Sequence, residues 1–174
     1  MKKTVYKSIL FVILVLSVFS LLLYVNNGIG ISSSRFETNI RKMQKIDESW
    51  VVEGNFNNNM AAFISYPSDM SSYSFSVYVN RPGLSFGYFF RGGGSLSSVT
   101  ENIAEISVNG YNDRAFISMN KQNVQRVELN DGKNVEIIEV DSNKPFAIVI
   151  PSNKGIISFY DNSNNIVEYF EEKL

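Results

Sequence analysis

Three features of the sequence predict a mainly β chain, an antiparallel two-sheet β-sandwich of Ig-like or jelly-roll-like type, preceded by one N-terminal transmembrane helix and a short amphipathic helix. The first is an uncharged apolar run from Ser8 to Val25, SILFVILVLSVFSLLLYV. The second is an apolar period of two that begins at Trp50 and continues to Phe170, the pattern of strands buried on one face. The third is the turn chemistry between those runs, with no helical stretch of crossover length to join parallel strands. So many short strands favour two packed sheets, and a closed barrel is the other architecture they allow.

The apolar run comes first in the chain. At about 1.5 Å per residue, Ile9 to Val25 gives roughly 25 Å of helix, a little under the ~30 Å hydrocarbon core, and Tyr6, Lys7 and Tyr24 extend its ends into the interface. It is longer than the roughly 7–15 apolar residues of a cleaved signal peptide and therefore reads as a signal anchor, residues 8–25. The competing reading is cleavage after Gly30, in the small-x-small sequence Gly28-Ile29-Gly30. A lipoprotein is excluded, since that modification needs a cysteine and the chain has none. Lys2, Lys3 and Lys7 immediately precede the run, while Arg35, Arg41, Lys42 and Lys45 follow at a distance. That proximity puts residues 1–7 in the cytoplasm and the β-domain outside a cell membrane. The absence of cysteine agrees with an exported location.

Residues 26–34, NNGIGISSS, read as a flexible spacer. An amphipathic helix over 35–48 follows. Ser34 with Glu37 makes a capping-box pattern, and Phe36, Ile40 and Met43 share one face. Arg41, Lys42 and Lys45 on the polar face could meet anionic lipid headgroups, each adding on the order of 1 kcal/mol. The alternative is that the apolar face covers the β-domain.

Residues 50–174 supply the strands: Trp50–Phe56, Met60–Tyr66, Tyr73–Asn80, Leu84–Arg91, Ile103–Val108, Arg114–Met119, Val124–Leu129, Val135–Val140, Phe146–Ile150, Ile156–Tyr160 and Ile166–Phe170. Asn130-Asp131-Gly132 and Asn109-Gly110 tolerate positive φ, and Pro67-Ser68-Asp69, Pro82-Gly83 and Pro151-Ser152-Asn153 fix φ before turn-forming side chains. Gly92-Gly93-Gly94 reads as a hairpin loop, because neither GxxxxGK[ST] nor GxGxxG is present to make it a phosphate loop. The closing segment from Ile156 to Phe170, with Asp161-Asn162-Ser163-Asn164-Asn165 between its strands, resembles the last hairpin of many bacterial Ig-like modules. That resemblance implies a bacterial cell envelope as the setting and brings no functional residue.

Sixteen basic and seventeen acidic residues give the chain −1. Setting aside the three lysines before the apolar run leaves thirteen against seventeen, a net of −4 for the remainder. A nucleic-acid partner is not expected, since binding a phosphate backbone needs a basic excess on one face. Histidine and cysteine are both absent. Imidazole-based triads, thiolate nucleophiles and His/Cys zinc or haem sites are thereby excluded, and no cofactor or metal is expected. Carboxylate chemistry stays open, with Glu101 and Glu105 or Glu136 and Glu139 as the pairs to consider. Acidic residues on short strands ordinarily just face water.

One segment carries a recognition signal, Tyr78 to Arg91. Leu84, Phe86, Tyr88 and Phe90 alternate toward the core, leaving Ser85, Gly87, Phe89 and Arg91 on the opposite face. Phe89 and Arg91 beside small residues form a shallow platform for a sugar ring or a partner's backbone, with Tyr78 alongside if the strands pair. The expected function is that of a membrane-anchored, extracytoplasmic, non-catalytic binding or accessory domain. Its partners would be the lipid bilayer and an envelope protein or glycan. The alternative is an exported carboxylate-dependent envelope hydrolase.

Overall fold

The structure, a computed structural model, describes residues 2–26, 28–81, 83 and 85–174, with side chains from residue 6 onward. The readings that involve Asn27, Pro82 and Leu84 fall outside the described residues. A 24-residue helix α1, Lys2–Val25, opens the chain, and its apolar stretch Tyr6–Val25 is uncovered by any other part of the protein. A 3₁₀ turn at Ser33–Arg35 leads into α2, Phe36–Gln44. The capping box is not formed. Arg35 occupies the cap position, and the Ser34 hydroxyl is hydrogen-bonded to Ser32 (2.9 Å), so the 3₁₀ entry has diverted the side chain from the helix.

The described residues then form β1 Val51–Phe56, β2 Met60–Tyr66, β3 Ser74–Asn80, β4 Tyr88–Gly94, β5 Ile103–Ser107, β6 Arg114–Ser118, β7 Val124–Asn130, β8 Val135–Glu139, β9 Phe146–Ile150, β10 Ile156–Asp161, β11 Ile166–Val167 and β12 Tyr169–Lys173. A short helix α3, Ser97–Glu101, lies between β4 and β5. The chain is mainly β, as the periodicity predicts. The strands make three four-stranded sheets where two are expected: β1-β2-β3-β4, β11-β10-β7-β8 and β12-β5-β6-β9.

Alternation within single strands explains the third sheet. Ala104, Ile106, Ala115, Ile117, Ala147 and Val149 share one core with Met60, Ala62, Ile64, Phe75, Val77 and Val79 of the first sheet. Their sequence neighbours Ile103, Phe116, Phe146 and Ile150 share a second core with Val127, Leu129, Ile157 and Phe159. The sheet containing β5, β6 and β9 is therefore buried on both faces, the situation of near-continuous apolar runs such as Phe-Ala-Ile-Val-Ile at 146–150. The last hairpin divides accordingly. β11 pairs antiparallel with β10, whereas β12, beyond Glu168, runs parallel to β5 in the other sheet.

The outer face of the first sheet is covered by α2. Phe36 and Ile40, 3% and 0% exposed, pack with Ala61, Phe63 and Tyr78. Met43, expected on the same face, is exposed. The three glycines at 92–94 belong to β4 and are not a loop. A Cβ at Gly92 would come within 2.8 Å of Leu174 Cδ1, and one at Gly93 within 2.4 Å of Gln44 Nε2. Gln44 uses that space to donate to Phe75 O and to Ser76 Oγ (both 3.1 Å). The glycines let α2 close on one face of β4 and the C-terminal segment on the other.

Residues 28–31 are pinned to the β-domain instead of forming a free spacer. Gly30 N–H donates to Phe86 O (2.7 Å), Phe86 N–H to Gly28 O (2.8 Å), and Ile31 and Tyr88 exchange N–H···O bonds of 2.9 and 2.8 Å. The close approach depends on Gly87, at φ +83°, where a Cβ would meet Ile31 O at 2.5 Å. At the other end, Gly28 N–H reaches back to Leu23 O of α1 (2.7 Å).

Candidate functional site

The sites expected from the sequence are dispersed by the fold. β3 and β4 do pair, but Tyr78 lies opposite Phe90 on the face that α2 covers and is fully buried. Its hydroxyl donates to Asn39 Oδ1 (2.9 Å), and burial pushes its pKa from 10.0 up to about 12. Phe89 lies opposite Val79 and so faces the other way, half-buried, with the Arg81 guanidinium 4.0 Å from its ring centroid. Arg91 is the extra residue of a bulge, since Val77 pairs with Gly92 and Tyr78 with Phe90, and it is exposed. The bulge shifts the alternation read from the sequence by one residue. Phe86 and Phe90, expected in the core, are 56% and 36% exposed. Tyr78, Phe89 and Arg91 thus share no single platform.

Arg41 is also committed elsewhere. Its guanidinium pairs with Glu37 (2.6 Å) and donates to Asp47 O (2.5 Å) and Trp50 O (3.1 Å), closing the connection from α2 to β1. Lys42 and Lys45 are exposed, with Lys45 ending α2 in the left-handed conformation. Glu105 is bonded to Arg114 (3.1 Å) and Glu136 to Lys154 (2.5 Å). Both are engaged as ion pairs.

The site that the fold does build is a polar cleft of about 350 Å³ at one end of the first sheet, lined chiefly by Asn58, Asn59, Asn80, Arg81, Asn112 and Asp113. Four connections meet there, those that follow β1, β3, β5 and β9. In the β1–β2 turn, Asn57 Oδ1 accepts from the N–H groups of Asn59 and Met60 (both 2.9 Å), a local side-chain turn. That turn is held to β3, where Asn80 donates from its backbone to Asn59 O (2.8 Å) and from its amide to Asn58 O (3.0 Å). The β5–β6 connection contributes Asp113, 5% exposed, whose Oδ2 accepts from the amides of Asn57 and Asn59 (2.9 Å each) while Oδ1 accepts from Ser152 N–H (3.4 Å). Such a buried carboxylate is stable because its lone pairs are occupied.

The cleft's chemistry is that of amides, one guanidinium and one carboxylate already engaged by the protein. It can donate to and accept from hydroxyl and carbonyl groups. It does not present two carboxylates across a bond to be cleaved, the arrangement that glycoside hydrolysis uses. No protein-family profile, curated protein or solved structure matches this chain. The cleft is not legible in the sequence because its residues come from separate connections, and Asn57-Asn58-Asn59 alone reads as turn chemistry. A tract of three asparagines between strands, with further asparagines at 80 and 112, is the signal that was present.

Alkaline titration tests the burial of Tyr78. The fold favours the neutral phenol, so this contribution is complete below pH 10, the unfolded value, and is lost as pH rises through about 12. Burial raises Tyr66 and Tyr88 in the same direction. Tyrosinate absorbance and unfolding followed together should show a late component coincident with loss of structure. Tyr78→Phe should diminish it; an unchanged profile would mean that Tyr78 ionises freely.

Proposed function

We propose that the chain is a membrane-anchored, extracytoplasmic, non-catalytic binding domain of a bacterial cell envelope, with α1 as a signal anchor and the asparagine-rich cleft as its recognition site for an envelope glycan. The observation that carries the anchor is that none of the apolar window within Tyr6–Val25 is buried, beside a β-domain whose own cores are closed without it. A helix that is apolar all round and uncovered by protein finds its burial in lipid. The lysines at 2, 3 and 7 favour a cytoplasmic N-terminus. On this reading the sandwich expected from the sequence corresponds to the first sheet facing the β5-β6-β9 sheet, with the remaining strands as an added layer.

Glycan is favoured over a flat protein partner by the cleft's content. Closely spaced amides match the paired hydroxyls of a sugar, and the one aromatic residue of the lining, Tyr111, offers a ring for a sugar face and no broad apolar centre of the kind protein interfaces ordinarily have. The hydrolase alternative has no observation in its favour.

Intact cells carrying an epitope in the exposed turn at Asn162–Ser163 test the reading. The protein should pellet with membranes, resist carbonate extraction and lose the epitope to external protease. In membrane vesicles, Asn58→Ala with Asn112→Ala should abolish most retention on purified envelope glycan without changing the melting temperature. Equal retention by the double variant would remove the cleft from the proposal, and a soluble form beginning at Ile31 would show that cleavage wins.

A further inference from the structure

We infer that the β-domain is docked on the bilayer through Ile29 and Phe86, a two-residue apolar rim that inserts at headgroup level beside the end of α1. The inference rests on the reading of α1 as a membrane span and adds the orientation of the domain to it. Tyr6–Val25, 20 residues, gives about 30 Å of helix and fills the hydrocarbon core. Its exit is short. Gly28 N–H is bonded to Leu23 O in the last turn of α1, so Gly28 lies at the depth of the helix end. The next residues, through Ile31, are bonded to Phe86 and Tyr88 of the β-domain. Ile29 and Phe86 form a bridged pair and are 60% and 56% exposed. From Val25 to Ile29 the chain spans at most about 14 Å even if fully extended, and the bond to Leu23 shortens it. The headgroup region is only about 5–8 Å deep on each side of the core, so the pair cannot stand far from it.

Two large apolar side chains held at that depth are covered by lipid and need no protein partner to account for their exposure. Ordinary connections to a span are free linkers, which leave the attached domain to tumble. Here the backbone bonds between 28–31 and 86–88 transmit the orientation of the helix to the first sheet. Arg81, whose carbonyl accepts from Ser85 Oγ (2.7 Å), lies next to the rim and lines the polar cleft. The cleft therefore opens close to the membrane surface, and its ligand is reached along the bilayer.

The natural absence of cysteine makes single-site spin labels clean. The full chain is placed in vesicles of phosphatidylcholine and phosphatidylglycerol with one label at a time: Phe86→Cys, Ile29→Cys, Leu16→Cys inside the span, and Ile166→Cys, 68% exposed on the far sheet. Labels at 86, 29 and 16 are expected to lose most of their collisions with a water-soluble nickel chelate and to keep those with oxygen, whereas the label at 166 keeps both. Retention of nickel collisions at 86 and 29 with shielding at 16 would overturn the docking while leaving the span intact. Nickel access at 16 would overturn the span and the docking with it. Ile29 and Phe86 report independently, so misfolding of one labelled variant does not leave the question open.

Discussion

Phe36→Ala should lower the stability of the β-domain by about 3–5 kcal/mol, the cost of emptying a buried aromatic site that cannot collapse. Phe36 is 3% exposed, and its ring centroid lies 4.9 Å from those of Phe63 and Tyr88, 5.3 Å from Tyr78 and 5.5 Å from Phe56. The ring is the center of an aromatic cluster, with each contact adding about 0.5–1.5 kcal/mol beyond area burial. Its loss would leave α2 held by Ile40, by the Gln44 bonds and by the Tyr78–Asn39 bond. Equilibrium urea unfolding of the full chain in detergent measures the effect. A change below about 1 kcal/mol would mean that α2 lies against something other than the first sheet, the lipid surface being the obvious choice given Lys42 and Lys45.

Substitutions at two consecutive positions of β6 should both be severe. Phe116→Ala is expected to cost about 3–5 kcal/mol and Ile117→Ala about 2–5 kcal/mol. Both residues are 0% exposed, yet they point into different cores. Phe116 packs against Phe159 and Tyr169, at 5.1 and 5.3 Å, and Ile117 belongs to the core shared with the first sheet. In a two-sheet sandwich one of two successive residues faces water and is cheap to truncate. Unfolding measurements on the two single variants therefore discriminate the architectures. A small effect at Phe116 would dissolve the second core and return the chain to two layers.

Much of the strand pattern is legible in the sequence, with Met60–Tyr66 and Phe146–Ile150 found at their observed bounds. Local alternation and turn residues determine these elements, and both are properties of a few neighbouring residues. The number of layers is not legible in the same way. Phe-Ala-Ile-Val-Ile is apolar at every position, which marks burial on both faces but does not say what covers them. The Tyr78–Arg91 platform failed for a local reason and a distant one. A bulge at Arg91 moved the register, and α2, some forty residues earlier in the chain, took the face on which Tyr78 stands. The triple glycine is ambiguous in the sequence because flexibility and close approach call for the same residue. The cleft needed four connections to be brought together, and no single stretch of sequence contains that information.

β12 has a consequence for how the chain is made. Residues 169–173 run parallel to β5, some sixty-five positions earlier, and Leu174 N–H bonds to Ser107 O (3.0 Å). The middle sheet, on which both cores depend, lacks an edge until those residues have left the ribosome. Contacts of such long sequence separation form late, because the loop they close must be ordered first. The nascent β-domain thus stays open at β5 and closes only after residue 173 has emerged. Stalling a few residues short of β12 should leave a protease-sensitive intermediate, and protection should appear only once β12 can pair with β5.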